Sequence, residues 1–325
     1  MGVTIKDVAK AAGVSYSTVS KALRDSPLVK QPTKERILAI AHQLGYQPNA
    51  AARSLVSKRS YTIGVVWPTI ERAAHSAMIT SLNKQLEKLS YTTLISINEM
   101  EFAINIFNRY QVDAILAFDD GHDQNTVQSS VPVVTYGLAN GAITTPTVDA
   151  NRRQAIKSAV EYLASIGHQK ICYIGDLTQK DRLQEEKVAG FKQAIEELGL
   201  ENIPMQVIEV SDLEQYDGFE AAKKLLAQET RPTAIISGTH DLTRGIIRSI
   251  HEAGLSVPDD FSVISYDNIP QSENFEVALT TVGVPLEKIT EKLSEILMDV
   301  IDEKEVEHAI FLEPELRISE SSRPL

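Results

Sequence analysis

A short segment near the amino terminus carries side chains that can form hydrogen bonds and that share one side of a predicted helix. They are Tyr16, Ser17, Ser20, Lys21 and Arg24, and the apolar residues of the segment fall on the other side. A lysine can donate to guanine O6 and N7 in the major groove of DNA, and tyrosine or serine hydroxyls can donate or accept at base edges. The pattern fits a surface that reads DNA, and it fits the solvated face of an ordinary helix equally well.

The elements that would position these side chains begin with two short helices joined by a glycine turn. Thr4 and Asp7 have the spacing of a capping box, and Gly13 is placed to end the first helix in the left-handed conformation. Ser15 is the next N-cap candidate, and a second helix is predicted over residues 16–23. Helix, glycine-containing turn and helix together predict a helix-turn-helix.

A third helix is predicted to begin after Pro32 and to close at Gly45. The residues expected to face the core from this helix are Ile37, Leu38, Ala41 and Leu44. The three helices together predict an all-α head over residues 1–48.

Charge is divided unevenly along the chain, whose formal net charge over 325 residues is −12. Residues 1–60 contain ten basic and three acidic side chains, a net charge of +7, so the remaining residues carry −19. A basic end on an acidic body is expected when only that end contacts phosphate, although chance alone can also make one end of a chain basic.

Composition and motifs exclude several classes of protein. No run of apolar residues approaches the roughly 18 that a membrane helix needs, and the first residues lack the apolar core of an export signal, so we expect a cytoplasmic protein. The single cysteine, Cys172, lies in an apolar run and is expected to be a buried, inert thiol. The motifs GxGxxG after a strand, GxxxxGK[ST], HExxH and GxSxG are all missing. We therefore expect no enzyme, no catalytic residue, no cofactor and no metal site.

From Tyr61 the pattern changes to alternating strands and helices. The predicted strands are TIGVVW, TTLISI, DAILAF, VPVVTY, KICYIG, PMQVIEV, TAIISG and SVISYD. The predicted helices cover residues 78–89, 154–166, 186–198, 243–253 and 286–301, and residues 120–130 and 142–150 are predicted loops. This alternation predicts an α/β body with doubly wound parallel sheets, in which ligands bind at the carboxyl ends of the strands.

The first 60 residues resemble the head of the lactose-repressor (LacI/GalR) family. The resemblance is carried by TIKDVAKAAGVSYSTVSKAL and TKERILAIAHQLGYQPNAAARSLVS, which include the AGVS turn, the TVS helix, the LGYQPN exit and the AARSL hinge. It implies that Tyr16, Ser17 and Lys21 are the main readers of the major groove. It also implies phosphate contacts from Thr4, Thr18, Arg24 and Asn49.

Residues 49–60 form the hinge and linker that the resemblance implies. The stretch NAAARSLV could form a helix of about two turns, and isolated helices of that length are marginal in water, so we expect it to fold only when paired on DNA. In the family two such helices lie side by side in the minor groove, which implies that Arg53 contacts DNA and that Leu55 wedges between base pairs. The alternative role of Leu55 is packing on the body.

The resemblance continues through the body, for example in EYLASIGHQKICYIG and LTTVGVPLEKI. It implies a periplasmic-binding-protein-like core of two lobes over residues 61–325, which serves effector binding and dimerisation. The chain of the family crosses between the lobes three times. We place the first lobe at about residues 61–158 and 284–310, and the second at about residues 159–283 and 311–325.

Six side chains are expected to line an effector cleft between the lobes. They are Trp67, Asp119, Asn151, Lys187, His240 and Asp267. Lys187 stands where the family often has an arginine, and it offers a point charge instead of a planar fork. Each of three others has a purely structural alternative, because Trp67 could pack within its lobe, His240 could only cap a helix and Asp267 could only support a turn.

The resemblance implies a DNA-binding transcriptional regulator, a repressor, that binds a near-palindromic operator as a homodimer and responds to a small sugar-like effector. No leucine heptad follows the body, so a dimer is expected in place of a tetramer. Control by a phosphoprotein or a sugar-phosphate co-repressor stays open as an alternative. A sugar-transport binding protein would share the body fold, but the basic head and the missing export signal argue against it.

Overall fold

The computed structural model describes residues 3–23, 25–46, 59–119, 128–139, 145–177, 181–200, 203 and 206–325. The chain divides into two compact units, Met1–Ser60 and Tyr61–Leu325. None of the helices in the described part of the chain has the length and apolar character that crossing a bilayer requires.

The head is a cluster of three helices around a small apolar core. Its helices are α1 (Ile5–Ala12), α2 (Tyr16–Leu23) and α3 (Gln31–Gln43). The predicted start and end of α1 are present, because the Asp7 carboxylate accepts from the Thr4 amide at 2.9 Å and Gly13 ends the helix at φ 63°. Val8, Val19 and Ile37 are fully buried where the three helices meet.

The core-facing side of α3 differs from the prediction in two positions. Leu38 and Leu44 were expected in the core, but they are 48% and 38% exposed. The buried stripe of α3 is instead Lys34, Ile37 and Ala41, which keep a spacing of three and four residues. The Lys34 ammonium ends on the Asp25 carboxylate at 2.6 Å, so its aliphatic stem covers the core while its charge is paired.

The first sheet of the body has six parallel strands in the spatial order β11–β5–β4–β3–β1–β2. The strands are β1 (Thr62–Val66), β2 (Thr92–Ser96), β3 (Ala114–Phe118), β4 (Val133–Tyr136), β5 (Thr147–Asp149) and β11 (Ala309–Phe311). Three helices belong with this sheet: α4 (Ala73–Lys88), α5 (Met100–Tyr110) and α10 (Leu286–Ile301). Helices α4 and α10 share one apolar core, and α5 packs in a separate one.

The second sheet also has six strands, in the order β12–β10–β9–β8–β6–β7, and only β12 runs antiparallel to its neighbour. The strands are β6 (Ile171–Asp176), β7 (Val207–Val210), β8 (Ala234–Ser237), β9 (Ser262–Tyr266), β10 (Thr280–Gly283) and β12 (Glu315–Arg317). Its helices are α6 (Arg152–Ser165), α7 (Arg182–Leu198), α8 (Gln215–Leu226) and α9 (His240–Glu252). The first two pack in one apolar core and the last two in another, so both faces of the sheet are covered. Cys172 is buried in β6, where burial raises the pKa of its thiol.

The chain first passes between the lobes near residue 151, earlier than the expected boundary at residue 158. Helix α6 is continuous from Arg152, and Ala155, Ile156 and Ala159 are fully buried in the core of the second lobe. Because one helix buries one continuous face, the chain cannot change lobes in its middle. Strand β5 also corrects the sequence analysis, since it lies within residues 142–150, which were predicted to form a loop.

Candidate DNA-reading face and ligand cleft

The outward side of α2 carries the predicted reading residues. Tyr16 is 54% exposed and Ser17 is exposed, while Lys21 is half-buried beside them. Val19 and Ala22 anchor the opposite side of the helix in the core of the head. The helix is therefore held by its buried side, and its outward side carries the phenol of Tyr16, the hydroxyl of Ser17 and the ammonium of Lys21.

Two other predicted contact residues take part in helix capping within the head. The Thr18 amide donates to the Ser15 hydroxyl at 3.1 Å, and the hydroxyls of Ser15 and Thr18 lie 2.8 Å apart, so Ser15 caps α2 as predicted. The Thr4 hydroxyl donates to the Asp7 carboxylate at 2.7 Å, and this bond helps to hold the pKa of Asp7 below its usual value. Both residues lie at helix starts, where free backbone amides favour anions.

Four predicted DNA contacts lie outside the described residues. They are Arg24, Asn49, Arg53 and Leu55. Their roles, and that of the hinge, stay predictions from the sequence.

The two lobes of the body enclose a cavity of about 80 Å³ at the carboxyl ends of their strands. Trp67 follows β1, Phe118 ends β3 and Asp267 follows β9, and all three line the cavity. This is the edge at which ligands bind parallel α/β sheets. Its polar lining also includes Arg72, His75, Arg152, Asp181, Gln184, Lys187 and Asn268.

Of the six side chains expected in the cleft, Trp67, Lys187 and Asp267 line this cavity. Asn151 instead starts α6 in the left-handed conformation, at φ 45°, and its amide donates to Asp149 at 2.9 Å. Asp119 follows Phe118, and it is Phe118 that reaches the cavity. This is the alternation expected of neighbouring residues at the end of a strand.

His240 faces a different part of the second lobe. Its backbone amide donates to the Asp267 carboxylate at 3.1 Å, and its ring meets the ring of Phe275 edge-on at 5.2 Å. The imidazole contributes to a surface groove of about 620 Å³ along α9, and it does not line the central cavity. Its binding role stays a prediction, and Asp267 holds the start of α9 in addition to lining the cavity.

Lys187 lies within the wall of the second lobe. Its ammonium donates to the Gly238 carbonyl at 2.8 Å and stands 3.7 Å from the centre of the Tyr266 ring. Burial lowers the pKa of Lys187 to about 7, against the attraction of Asp267, which acts to raise it. Burial therefore makes this amine much easier to deprotonate than an exposed lysine.

The sequence analysis missed two first-lobe residues of the lining, Arg72 and His75, at the start of α4. Burial, helped by the charge of Arg72, lowers the pKa of His75 to about 4, so the imidazole is neutral at physiological pH. Its Nδ1 lies 3.2 Å from the Thr69 carbonyl, which identifies Nδ1 as the protonated nitrogen. Arg72 ends the connection that follows β1 and His75 lies in the first turn of the next helix, and this position was the signal that could have found both residues.

Three buried polar atoms of the lining have no hydrogen-bond partner within the described part of the chain. They are the Nε1 of Trp67, the Nε of Arg72 and the Oε1 of Gln184. Buried polar groups are ordinarily satisfied, so unmet groups around a cavity indicate a place for a ligand or for water.

A hydrogen bond joins the lobes beside the cavity. The amide of Ala73, at the start of α4 in the first lobe, donates to the Asp241 carboxylate of α9 in the second lobe at 3.1 Å. Arg72 precedes Ala73 and its side chain does not cap α4, so the second lobe supplies a cap for a helix of the first.

Both parts of the chain are similar to known protein families. Residues 4–49 match the family model described as bacterial regulatory proteins, lacI family, and residues 160–322 match the periplasmic binding protein-like domain. The chain is 32% identical over 335 residues to a probable HTH-type transcriptional repressor, ExuR, of Bacillus subtilis (strain 168). That alignment covers 99% of both chains.

Two solved structures share the fold of the whole chain. The lac repressor dimer bound to operator and the anti-inducer ONPF has a TM-score of 0.85 at 23% identity, covering 99% of this chain and all of that one. The complex of the transcriptional regulator CelR with cellobiose has a TM-score of 0.68 at 22% identity, covering 98% of this chain and all of that one. The chain contains a head of three helices and a two-lobed α/β body. The family models and the full-length similarity show that it belongs to the LacI family of bacterial regulatory proteins, which are DNA-binding transcription regulators with an effector-binding domain and not enzymes.

Proposed function

We propose that this protein is a cytoplasmic repressor that binds a near-palindromic operator as a homodimer and that a small sugar-like molecule in the cleft changes its operator affinity. The observation that carries the proposal is the outward side of α2, where Tyr16, Ser17 and Lys21 stand opposite a buried apolar face. A helix of this kind reads base edges in the major groove, and two copies are needed for two half-sites.

The remaining DNA contacts in the proposal anchor and bend the operator. Thr4 and Thr18 lie at helix starts in the head and suit contacts to phosphate. Arg24 and Asn49 are assigned to the DNA backbone as well, Arg53 to a contact with DNA from the hinge, and Leu55 to the wedge in the minor groove. A short hinge helix that orders only on DNA would make operator binding sensitive to any change that separates the two hinges.

The cleft supports control by a small molecule. It is lined by both lobes, it holds unmet polar atoms, and a direct hydrogen bond closes the lobes beside it. A ligand can change operator affinity only if it prefers one arrangement of the lobes, and a cavity lined by both lobes allows such a preference. The cellobiose complex of CelR, a protein of the same fold, supports a sugar-like ligand.

The test is enrichment of sequences from a pool of random DNA duplexes by the purified full-length protein at physiological salt. The expected result is one enriched near-palindromic sequence, whose affinity then changes when the effector is added. Binding to all duplexes alike, both alone and with candidate ligands, would show that the proposal is wrong.

A further inference from the structure

The first-lobe wall of the cleft holds a guanidinium with a buried hydrogen-bond donor that has no acceptor among the described residues. Arg72 occupies the N-cap position of α4 and lines the cavity, and its buried Nε has no acceptor among the residues that the structure describes. Leaving a buried charged donor without a partner is unfavourable. A ligand atom that accepts hydrogen bonds and carries negative charge would remove this penalty.

The carboxylates of the second lobe that line the cavity serve their own helices. Asp181 caps α7, accepting from the Leu183 amide at 2.8 Å and from the Gln184 side chain at 3.2 Å. Asp267 accepts from the His240 amide at the start of α9. Both carboxylates contribute to the field of the cleft, but neither is hydrogen-bonded to Arg72.

The other cations of the lining already have partners. Lys187 donates to Gly238 and lies against the Tyr266 ring. The Arg152 guanidinium, also buried, approaches the Gly137 carbonyl and the Asp149 carboxylate, each at 3.4 Å. Arg72 is therefore the cation of this lining that is most available to a ligand.

Two further atoms of the lining lack a hydrogen-bond partner in the described part of the chain, and they indicate which donor and acceptor groups the rest of the ligand should carry. The indole Nε1 of Trp67 is a donor on the first-lobe wall, and the Oε1 of Gln184 is an acceptor on the second-lobe wall. Anionic oxygens can accept from both Arg72 and Trp67, while Gln184 needs a donor such as a hydroxyl. The cavity of about 80 Å³ is well below the 300–1,000 Å³ usual for small-molecule pockets, which favours a compact ligand.

We propose that the effector is an anionic sugar derivative of monosaccharide size, whose anionic group accepts from Arg72 and whose hydroxyl donates to Gln184. The inference rests on the proposed function and narrows the ligand of the same cleft. A guanidinium can hold a carboxylate or a phosphate by two parallel hydrogen bonds, so the shared chemistry is the anion, and experiment separates the two sources.

The experiment compares three forms of each sugar on the full-length protein, by thermal shift and titration calorimetry. The probes are D-glucuronate, D-glucose 6-phosphate and D-glucose, with the matching galactose series. We expect an acid or a phosphate to raise the melting temperature while the neutral sugar leaves it unchanged, and the form that binds identifies the anion. Arg72→Gln should weaken that binding at least tenfold, and Arg72→Lys, which keeps the charge without the fork, should weaken it less.

Arg109→Gln is the matched control, because Arg109 is exposed in the same lobe at the end of α5. It should leave probe binding unchanged, and the unliganded melting temperature of each variant reports whether it folds. The inference is overturned if no anionic probe binds, if the neutral sugar binds as tightly as its acid, or if Arg72→Gln binds like the wild type. Sequence enrichment from random DNA would still succeed in each of these cases, so a failure here is distinct from a failure of the proposed function.

Discussion

At the scale of single residues, the low pKa of Lys187 links the stability of the body to pH. The folded amine has a pKa of about 7 because it is buried, whereas the ordinary value is 10.5. Between these values the unfolded chain holds a proton that the folded protein has released, so the free energy of unfolding rises with pH. Asp267 and Asp181 face the amine and raise its pKa, and Arg72 and Arg152 lower it, without reversing this sign.

We expect Lys187→Met to remove this rise. The measurement is urea unfolding at pH 6, 7.5 and 9. Above pH 7, the free energy of unfolding of the wild type should increase relative to that of the variant by about 1 kcal/mol per pH unit. Lys192→Met is the matched control, because Lys192 is exposed on the same helix and its removal should not change the slope. A difference between wild type and Lys187→Met that is the same at every pH would contradict the assignment.

Lys21 is expected to contribute base preference as well as charge. Lys21→Ala should cost about 1–3 kcal/mol of operator binding and relax the preference at one base position, because a donor to a base edge is lost. The measurement is a titration of the operator and of its single-base variants by fluorescence anisotropy. Lys10→Ala removes the same charge from the exposed side of α1 and should leave base preference intact. Equal weakening of all sequences by Lys21→Ala would identify a phosphate contact instead.

The sequence predicted the outward side of α2 better than the lining of the cleft. The head residues lie on one continuous helix, so spacing alone places Tyr16, Ser17 and Lys21 on one side. The residues of the cleft come from many elements. At the end of a strand, a shift of one position decides whether a side chain points into the cleft or away from it. Phe118 reaches the cavity and Asp119 does not, while Arg72 was missed because the start of α4 lies five residues before the predicted helix.

At the scale of elements, α8 and α9 approach each other through glycines. A Cβ added at Gly218 would overlap the Leu242 carbonyl oxygen, and one added at Gly245 would overlap the Gln215 carbonyl oxygen. Both neighbours are backbone atoms, which cannot move aside without shifting a helix. The close packing of these two helices therefore requires a glycine on each of them at the point of contact.

We expect Gly245→Ala to destabilise the body by about 1–3 kcal/mol, since overpacking outweighs the gain of about 1 kcal/mol in helix propensity. The measurement is the melting transition of the full-length protein, with Lys224→Ala on the exposed side of α8 as the control. An unchanged or higher melting temperature for Gly245→Ala would show that the helices can separate at little cost.

Elements with long apolar runs were predictable and short ones were not. Strands β1, β3, β8 and β9 are almost wholly buried, and each appears in the sequence as a segment in which apolar residues predominate. Strand β5 has three residues, too few to show any period, and its pairing with β4 and β11 creates it. The prediction of the buried side of α3 was wrong for another reason. The aliphatic stem of Lys34 lies in the core, and a charged residue is not expected there from the sequence.

At the scale of the whole molecule, the order of strands and helices predicted two largely parallel sheets, but the hydrogen bond between Ala73 and Asp241 that joins the lobes could not be predicted. The Asp241 carboxylate accepts from the Ala73 amide, and 168 residues separate the two partners. It also places a negative charge at the positive end of α4, which is favourable for the helix dipole. Opening the lobes must break this bond and leave the start of α4 without it.

We therefore expect Asp241→Ala to shift the lobes toward a more open arrangement, by about 1 kcal/mol, the usual loss when a helix cap is removed. Small-angle X-ray scattering should give a larger radius of gyration, and hydrogen exchange at the Ala73 amide should become about fivefold faster. Asp241→Asn keeps an acceptor oxygen without the charge, so its exchange rate should lie between those of the wild type and Asp241→Ala. Because a ligand that closes the lobes must restore what the variant has lost, effector affinity should also fall, by no more than the factor by which the exchange rate rises. Identical scattering and exchange for Asp241→Ala and the wild type would show that this bond does not hold the cleft closed.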